Sequence, residues 1–374
     1  MSTSPKHYES NANEEEMEQS SEDIWCDALP DDVMVNILSL LPPKPFFRFK
    51  CVSKSWLGLS SRAFRLNKLL RPTLLGFFYE TPSRSPHNIG FTIISNGVRK
   101  LDSTLGLSNY DEFQIHDCCN GLVLVTSLIS EPSFRSQNMY VYNLATRKCT
   151  AIELLPQQHF EDVAYDEVFS LAFDPQCELQ FHVVCFRQWH KERWSYDNIF
   201  LTFSSDSGTW QRGGNLECVF KIAQKSKGTY LDGRLHRVTE GHEIASVDPN
   251  NNTCLVTKFD FPGLSQNGIS EIGQSQGVLH FMFLNESHMM SIWVLENDDR
   301  QNWILKHQLC LKEMLVNASF QNIKLHPGKD VIFARGKFGR ILSIGLINGE
   351  ANEFYYLYYP SCSQFWLYMH CFLV

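Results

Sequence analysis

The sequence predicts a small all-α module followed by a large all-β domain, read as a β-propeller of six or seven blades. Three observations predict this. Between Leu29 and Leu59, apolar residues recur at helical spacing between prolines. Beyond Arg71-Pro72 that period vanishes, and short β-branched and aromatic runs replace it. Those runs then return with their turns at a period of about 40–50 residues, the length of a four-stranded blade.

Residues 1–24 carry seven acidic side chains against Lys6 alone and almost no aliphatics. Such a stretch cannot bury enough surface to order itself, so a disordered acidic tail is expected. Residues 25–70 form the helical module. Pro30 suits a first helical position, and Asp31 and Asp32 place negative charge where the helix dipole favours it. Val33, Met34, Ile37, Leu38 and Leu41 then form one wide apolar face, which Pro42 and Pro43 terminate. A second turn is expected near Pro45, carrying Phe46, Phe47 and Phe49. Ser53 is placed to cap a third helix on which Val52, Trp56 and Leu59 align.

This module offers more apolar side chains than a three-helix core of its size can enclose. A fully buried one is worth roughly 1.5–3 kcal/mol, so the surplus should be covered. Pattern alone leaves two coverings open, a partner molecule or the chain's own larger domain.

Residues 73–374 form the β-domain. Runs such as Leu122–Val125, Met139–Tyr142, Phe181–Phe186, Val278–Phe283 and Val331–Ala334 alternate with turn pairs. The pairs include Asn120-Gly121, Asp174-Pro175, Ser207-Gly208, Asp232-Gly233, Asp248-Pro249 and Asn348-Gly349. A strand–polar turn–strand phrase recurs at 141–152, 202–213, 246–257, 294–306 and 345–356. A second echo precedes it, seen as Asp232-Gly233-Arg234-Leu235-His236 and Gln276-Gly277-Val278-Leu279-His280. A pair of β-sandwiches is the alternative. A ring avoids open sheet edges, and the aromatic C-terminal tail is expected to close it by pairing near Leu74–Tyr79. Pro360 and several polar residues make that tail a poor membrane span.

The formal net charge of −8 is unevenly spread, about −6 in the tail, +4 in the helical module and −6 in the β-domain. No block is basic enough for a nucleic-acid groove, and the slightly basic module suits an acidic partner. Twelve scattered cysteines and no signal-peptide pattern predict reduced thiols and a cytoplasmic or nuclear location.

A search for chemistry yields no catalytic, cofactor or metal assignment. His182 and Cys185 fall on opposite faces of a strand. His116-Asp117-Cys118-Cys119 lacks partners at zinc-like spacing and reads as structural. His236 and His280 share a repeat position. One loop, Arg187 to Tyr196, is rich in interface-anchoring residue types, and Trp189, Arg193 and Trp194 are its candidate target contacts. The opposing reading is a long hairpin whose aromatics fold back on their own sheet.

Leu29-Pro30, Ile37-Leu38, Leu41-Pro42, Arg48-Phe49, Val52, Lys54 and Trp56 stand in the register of the F-box, and residues 25 to about 66 resemble that module in its plant form. Arg62-Ala63-Phe64 departs from the family's usual exit from the third helix. The β-region is similar to the F-box-associated, kelch-like domains of plant F-box proteins. The phrases Cys119-Asn120-Gly121-Leu122, Tyr142–Lys148, Ala172–Pro175 and Trp303–His307 carry that likeness. Kelch repeats have a Gly-Gly pair in each blade, whereas here Gly213-Gly214 occurs once.

The resemblance implies a substrate receptor of a cullin-based ubiquitin ligase. Its F-box would dock on a Skp-family adaptor, and through it on the cullin scaffold, while the propeller holds a target protein. It implies no bond chemistry in this chain. Leu29, Pro30, Val33, Ile37, Leu38, Leu41, Pro42, Phe46 and Trp56 are then the adaptor surface together with its supporting core. The alternatives are an F-box scaffold acting outside degradation and a propeller enzyme with a helical appendage.

Overall fold

Prolines set the limits of the helices in this computed structural model. It describes residues 29–66, 73–80, 89–93, 112–131, 134–153, 155, 165–175, 180–192, 195–214, 220–224, 226–259, 264–265, 267–296, 302–312, 323–335, 340–356 and 365–370. The expected acidic tail, 1–24, lies outside the described residues. Two compact units divide after Arg71.

In the first unit, α1 spans Asp31–Ser39. Pro30 is its N-cap rather than its first helical residue, with an extended backbone whose carbonyl accepts the Met34 N–H at 3.1 Å. Asp31 and Asp32 occupy the first turn, where the unpaired N–H groups favour negative charge. Helix α2 spans Pro43–Phe49 and starts earlier than the turn expected at Pro45, because Pro42 caps it and Pro43 has no N–H to leave unpaired. Helix α3 spans Lys54–Leu66, and Ser53 Oγ accepts the Trp56 backbone N–H at 3.2 Å, as a capping residue does. Met34, Val35 and Leu38 of α1, Phe46 of α2, and Leu59, Ala63 and Phe64 of α3 are buried.

The second unit is a ring of antiparallel sheets. Its first blade runs β3 (Glu112–Cys119), β4 (Leu122–Glu131), β5 (Phe134–Asn143) and β6 (Lys148–Ile152). The second is β7 (Tyr165–Ala172), β8 (His182–Glu192), β9 (Ser195–Ser204) and β10 (Thr209–Arg212). The third is β11 (Thr229–Leu231), β12 (Arg234–Val238), β13 (Ile244–Asp248) and β14 (Thr253–Thr257). The fourth is β15 (Ile269–Ser275), β16 (Val278–Leu284), β17 (Met289–Leu295) and β18 (Trp303–Cys310). The fifth is β19 (Ile323–Leu325), β20 (Val331–Arg335), β21 (Arg340–Gly345) and β22 (Ala351–Tyr356). A three-stranded sheet of β1 (Thr73–Glu80), β2 (Ile89–Ile93) and β23 (Phe365–His370) joins the two ends of the domain.

The expected six or seven blades are thus corrected to five four-stranded ones among the described residues. The runs after residue 73 and the C-terminal tail do not build separate blades; they share the three-stranded sheet. In it Leu74 pairs with Met369, Phe77 with Leu367, Phe78 with Trp366 and Tyr79 with Phe365, the closure expected of the aromatic tail. Among the described residues no sandwich pair is formed.

Alternation explains the radial order. Fourth strands such as β6 and β22 are largely exposed, whereas residues 122–127 of β4, 182–189 of β8 and 279–284 of β16 are buried on both faces. Apolar clusters fill the spaces between consecutive sheets. One joins Phe78 and Trp366 to Val123 and Val125, and another joins Phe333 and Ile341 to Phe77 and Phe365, which carries the packing around to where it began.

Candidate functional site

Helix α1 is apolar on two sides, and only one faces inward. Leu38 is 1% exposed and Phe46 is 0% exposed, whereas Leu29, Val33 and Ile37 are 43%, 37% and 47% exposed. Leu40 continues that outer stripe at 76%. The wide apolar face predicted on α1 therefore splits, with Met34 and Leu38 inward and Val33 and Ile37 outward. Pro30 and Pro42 are exposed, and Leu41 and Trp56 are half-buried. Trp56 stacks on Phe49 with ring centroids 5.1 Å apart. Val52 (60%) and Leu57 (47%) are further exposed apolar residues on this unit; neither was among the expected adaptor contacts. Arg62 on α3 pairs with Asp31 at 3.2 Å beside the stripe, and both side chains are exposed. Lys50 Nζ lies 5.5 Å over the Phe47 ring and 5.7 Å over Phe64, and burial lowers its pKa.

The second arrangement lies where the innermost strands of the ring converge. A cavity of about 110 Å³ is lined by Asp117 on β3, Lys227 just before β11, Glu271 on β15, Lys324 on β19 and Trp366 on β23, among others. Asp117 is buried and accepts the backbone N–H groups of Cys118 and Leu171, each at 2.9 Å. Burial raises its pKa, with Lys227 opposing. Glu271 pairs with Lys324 at 3.0 Å and accepts the Lys227 backbone N–H at 2.9 Å. Arg237 of β12 is fully buried beside them; it donates to Ser170 Oγ at 2.6 Å and to the carbonyls of Ala223 and Ser226. Lys227 Nζ donates to the His116 carbonyl at 3.1 Å and lies 4.7 Å over the Trp366 ring. Burial is the main cause that draws its pKa down to about 8.

His116 and Cys118 take structural parts here. The His116 ring meets Thr126 Oγ1 at 3.0 Å, and burial first, then Lys227, push its pKa down to about 4. Burial holds the Cys118 thiol well above its usual pKa, so it stays protonated and is a poor nucleophile. His182 and Cys185 are both buried on β8, and the Cys185 thiol is likewise raised by burial. Among the described residues no group of His, Cys, Asp and Glu is arranged to hold a metal ion. No helix among them is long and apolar enough to cross a membrane.

Within the stretch Arg187 to Tyr196, residues 187–192 belong to β8 and Ser195 and Tyr196 to β9, so its described part is paired strand rather than loop. Arg187 is buried, 2.6 Å from Glu167 and 5.0 Å over the Tyr165 ring. Trp189 is 7% exposed, with its ring 6.3 Å from Tyr165. Trp189 thus folds back onto its own sheet. Arg193 and Trp194, between the two strands, lie outside the described residues.

Sequence reasoning did not find the axial cluster. Its only local signal was Asp117, within the phrase His116-Asp117-Cys118-Cys119 that read as structural; the other charged members come from blades far apart in the chain.

Comparison with known proteins adds two family models. The F-box domain matches residues 27–63, and the β-propeller of F-box protein At3g26010-like matches residues 99–333. Among similar proteins of Arabidopsis thaliana, F-box protein At5g07610 is 28% identical over 305 residues, covering 76% of this chain and 71% of that protein. F-box protein At4g19940 is 24% identical over 315 residues, covering 74% and 71%, and F-box protein At5g49610 is 24% identical over 304, covering 76% and 79%. Kelch appears in the name of one further similar protein, F-box/kelch-repeat protein At4g19930.

Proposed function

Since this chain belongs to the plant F-box proteins with an At3g26010-like β-propeller, we propose that it is a substrate receptor of a cullin-based ubiquitin ligase. The F-box docks on a Skp-family adaptor, the adaptor tethers it to the cullin scaffold, and the propeller holds a target protein. The observation that carries this reading is the exposed stripe Leu29, Val33, Ile37 and Leu40, on a module whose core is already filled by Met34, Val35, Leu38, Phe46 and Phe64. A stripe with this geometry suits the helix-and-groove docking of an α-helical partner. The basic balance of residues 25–70 favours an acidic one.

In this reading the chain performs no bond chemistry. It raises the effective concentration of target lysines at the transfer centre, and rate comes from proximity alone. We assign it to the cytoplasm or nucleus, where such ligases meet their targets. Arg193 and Trp194, which follow β8 in the sequence, remain the proposed target contacts. The experiment is proximity labelling by the intact chain and by a Leu29→Ala, Pro30→Ala variant, with and without proteasome inhibition. Proteins captured by both forms, and accumulating on inhibition only with the intact F-box, are its targets. Captured proteins whose abundance ignores both the inhibitor and the variant contradict a degradative role.

A further inference from the structure

The axial cavity holds an unusual balance of charge for a protein interior. Two cations, Lys227 and Lys324, line it with two carboxylates, Asp117 and Glu271, and a third cation, Arg237, is buried beside them. The partners are unequally shared. Glu271 is taken by Lys324 and by a backbone N–H, and Asp117 by two backbone N–H groups. Arg237 is met by a hydroxyl and by main-chain carbonyls. Lys227 has one carbonyl and the face of Trp366, and no carboxylate within ion-pair distance among the described residues. An ammonium has three donors to place. Around the cavity the cations therefore exceed the carboxylates by one, in surroundings where an excess charge is costly.

The walls around this charge are apolar. Ile272, Met282, Leu325 and Leu367 line the same cavity as Lys227 and Lys324. A pocket of apolar walls with a few convergent polar groups has the composition of a small-molecule site. Its volume of about 110 Å³ bounds the ligand. A cavity of roughly 150 Å³ accommodates benzene, so the occupant here is smaller than a substituted ring, a short-chain molecule. The surplus of one positive charge selects a monoanion. A phosphate, which carries nearly two charges, would overshoot it and meet Glu271 and Asp117 at close range.

We propose that the axial cavity of the propeller binds a small organic monocarboxylate, its carboxylate on Lys227 and Lys324 and its apolar body against Trp366 and Leu367. The site belongs to the β-domain and does not depend on docking of the helical module, so the two readings fail separately. The lowered pKa of Lys227 gives the site a signature. Facing Lys227 are Asp117 and His116 on β3, Arg237 on β12, Glu271 on β15 and Lys324 on β19. As pH rises through about 8, Lys227 loses its proton and the carboxylate loses its main partner.

The test titrates the full-length chain with 2-methylpropanoate, butanoate, their primary amides and inorganic phosphate, by calorimetry and thermal shift at pH 7. At least one of the two acids is expected to bind saturably and raise Tm, with its amide and phosphate at least tenfold weaker. Lys227→Met, which removes charge and keeps length, should weaken that acid at least tenfold while leaving the β-sheet circular dichroism unchanged. Raising the pH from 7 to 9 should weaken it in the unaltered chain, a readout that stands even if the variant does not fold. Equal binding of acid and amide, tighter binding of phosphate, unchanged affinity in a folded Lys227→Met chain, affinity unchanged up to pH 9, or no saturable binding of either acid would each overturn the proposal.

Discussion

Ile37 and Leu38 are neighbours of similar bulk with opposite environments, and they separate folding from recognition in the helical module. Leu38 is 1% exposed, so Leu38→Ala leaves a hole and should cost about 2–5 kcal/mol, seen as a lowered unfolding midpoint of the helical unit. Ile37 is half exposed, and Ile37→Ala should change stability by less than about 1 kcal/mol. His116 supports a second prediction at this scale. Its folded pKa of about 4 lies below the unfolded value of about 6.5, so the unfolded chain takes up the proton first on acidification. The stability held by neutral His116 is complete above about pH 6.5 and falls as pH drops toward 4. His242, His280, His307 and His326 are lowered by burial too and act in the same direction. His116→Gln should therefore reduce the loss of stability between pH 7 and pH 4.5 by about 2 kcal/mol in urea titrations. An unchanged pH slope would contradict the burial of a neutral ring.

At the scale of elements, hairpin chemistry repeats around the ring. Between first and second strands, Asn120-Gly121, Asp232-Gly233 and Gln276-Gly277 all take positive φ, the geometry of a tight two-residue turn. A side chain built on Gly233 meets nothing within 4 Å, so Gly233→Val should cost about 1–2 kcal/mol through the backbone alone. Gly213→Ala should act by another route, since its added carbon would strike the buried Phe200 ring, and a loss of about 1–3 kcal/mol is expected. Thermal melts of the two variants check both. These turns were the most legible feature of the sequence, because positive φ restricts residue type strongly and locally. The strand–turn–strand phrases at 141–152, 202–213, 246–257, 294–306 and 345–356 proved to be the third and fourth strands of the five blades. The β8–β9 extension was less legible, since Arg187 and Trp189 have interface composition yet are buried in their own sheet. The inward and outward halves of α1 were not separable either, because Val33 and Leu38 are equally apolar. Nor was the axial cluster, because Asp117, Lys227, Glu271 and Lys324 converge only once the ring has closed.

For the whole molecule, closure is carried by residues from the two ends of the β-domain. Strand β23 pairs with β1, and Phe365, Trp366 and Tyr368 are buried on both sides of that sheet. A chain ending at residue 364 would open the ring, expose Phe77 and Phe78, and leave unpaired strand edges. It should be recovered as aggregate, or as a species without a cooperative melt in scattering and calorimetry. A soluble, cooperatively melting product would show that the closing sheet is dispensable. In the proposed function the ring presents a target and the helical module attaches the ring to its ligase, so the account turns on the outer stripe of α1. The most direct test is calorimetric titration of a purified Skp-family adaptor into the full-length chain and into an Ile37→Asp variant. The account predicts a stoichiometric complex with the unaltered chain and at least a 100-fold loss of affinity in the variant, whose helices and propeller melt unchanged. Equal affinity in both, or no complex with the unaltered chain, would contradict it.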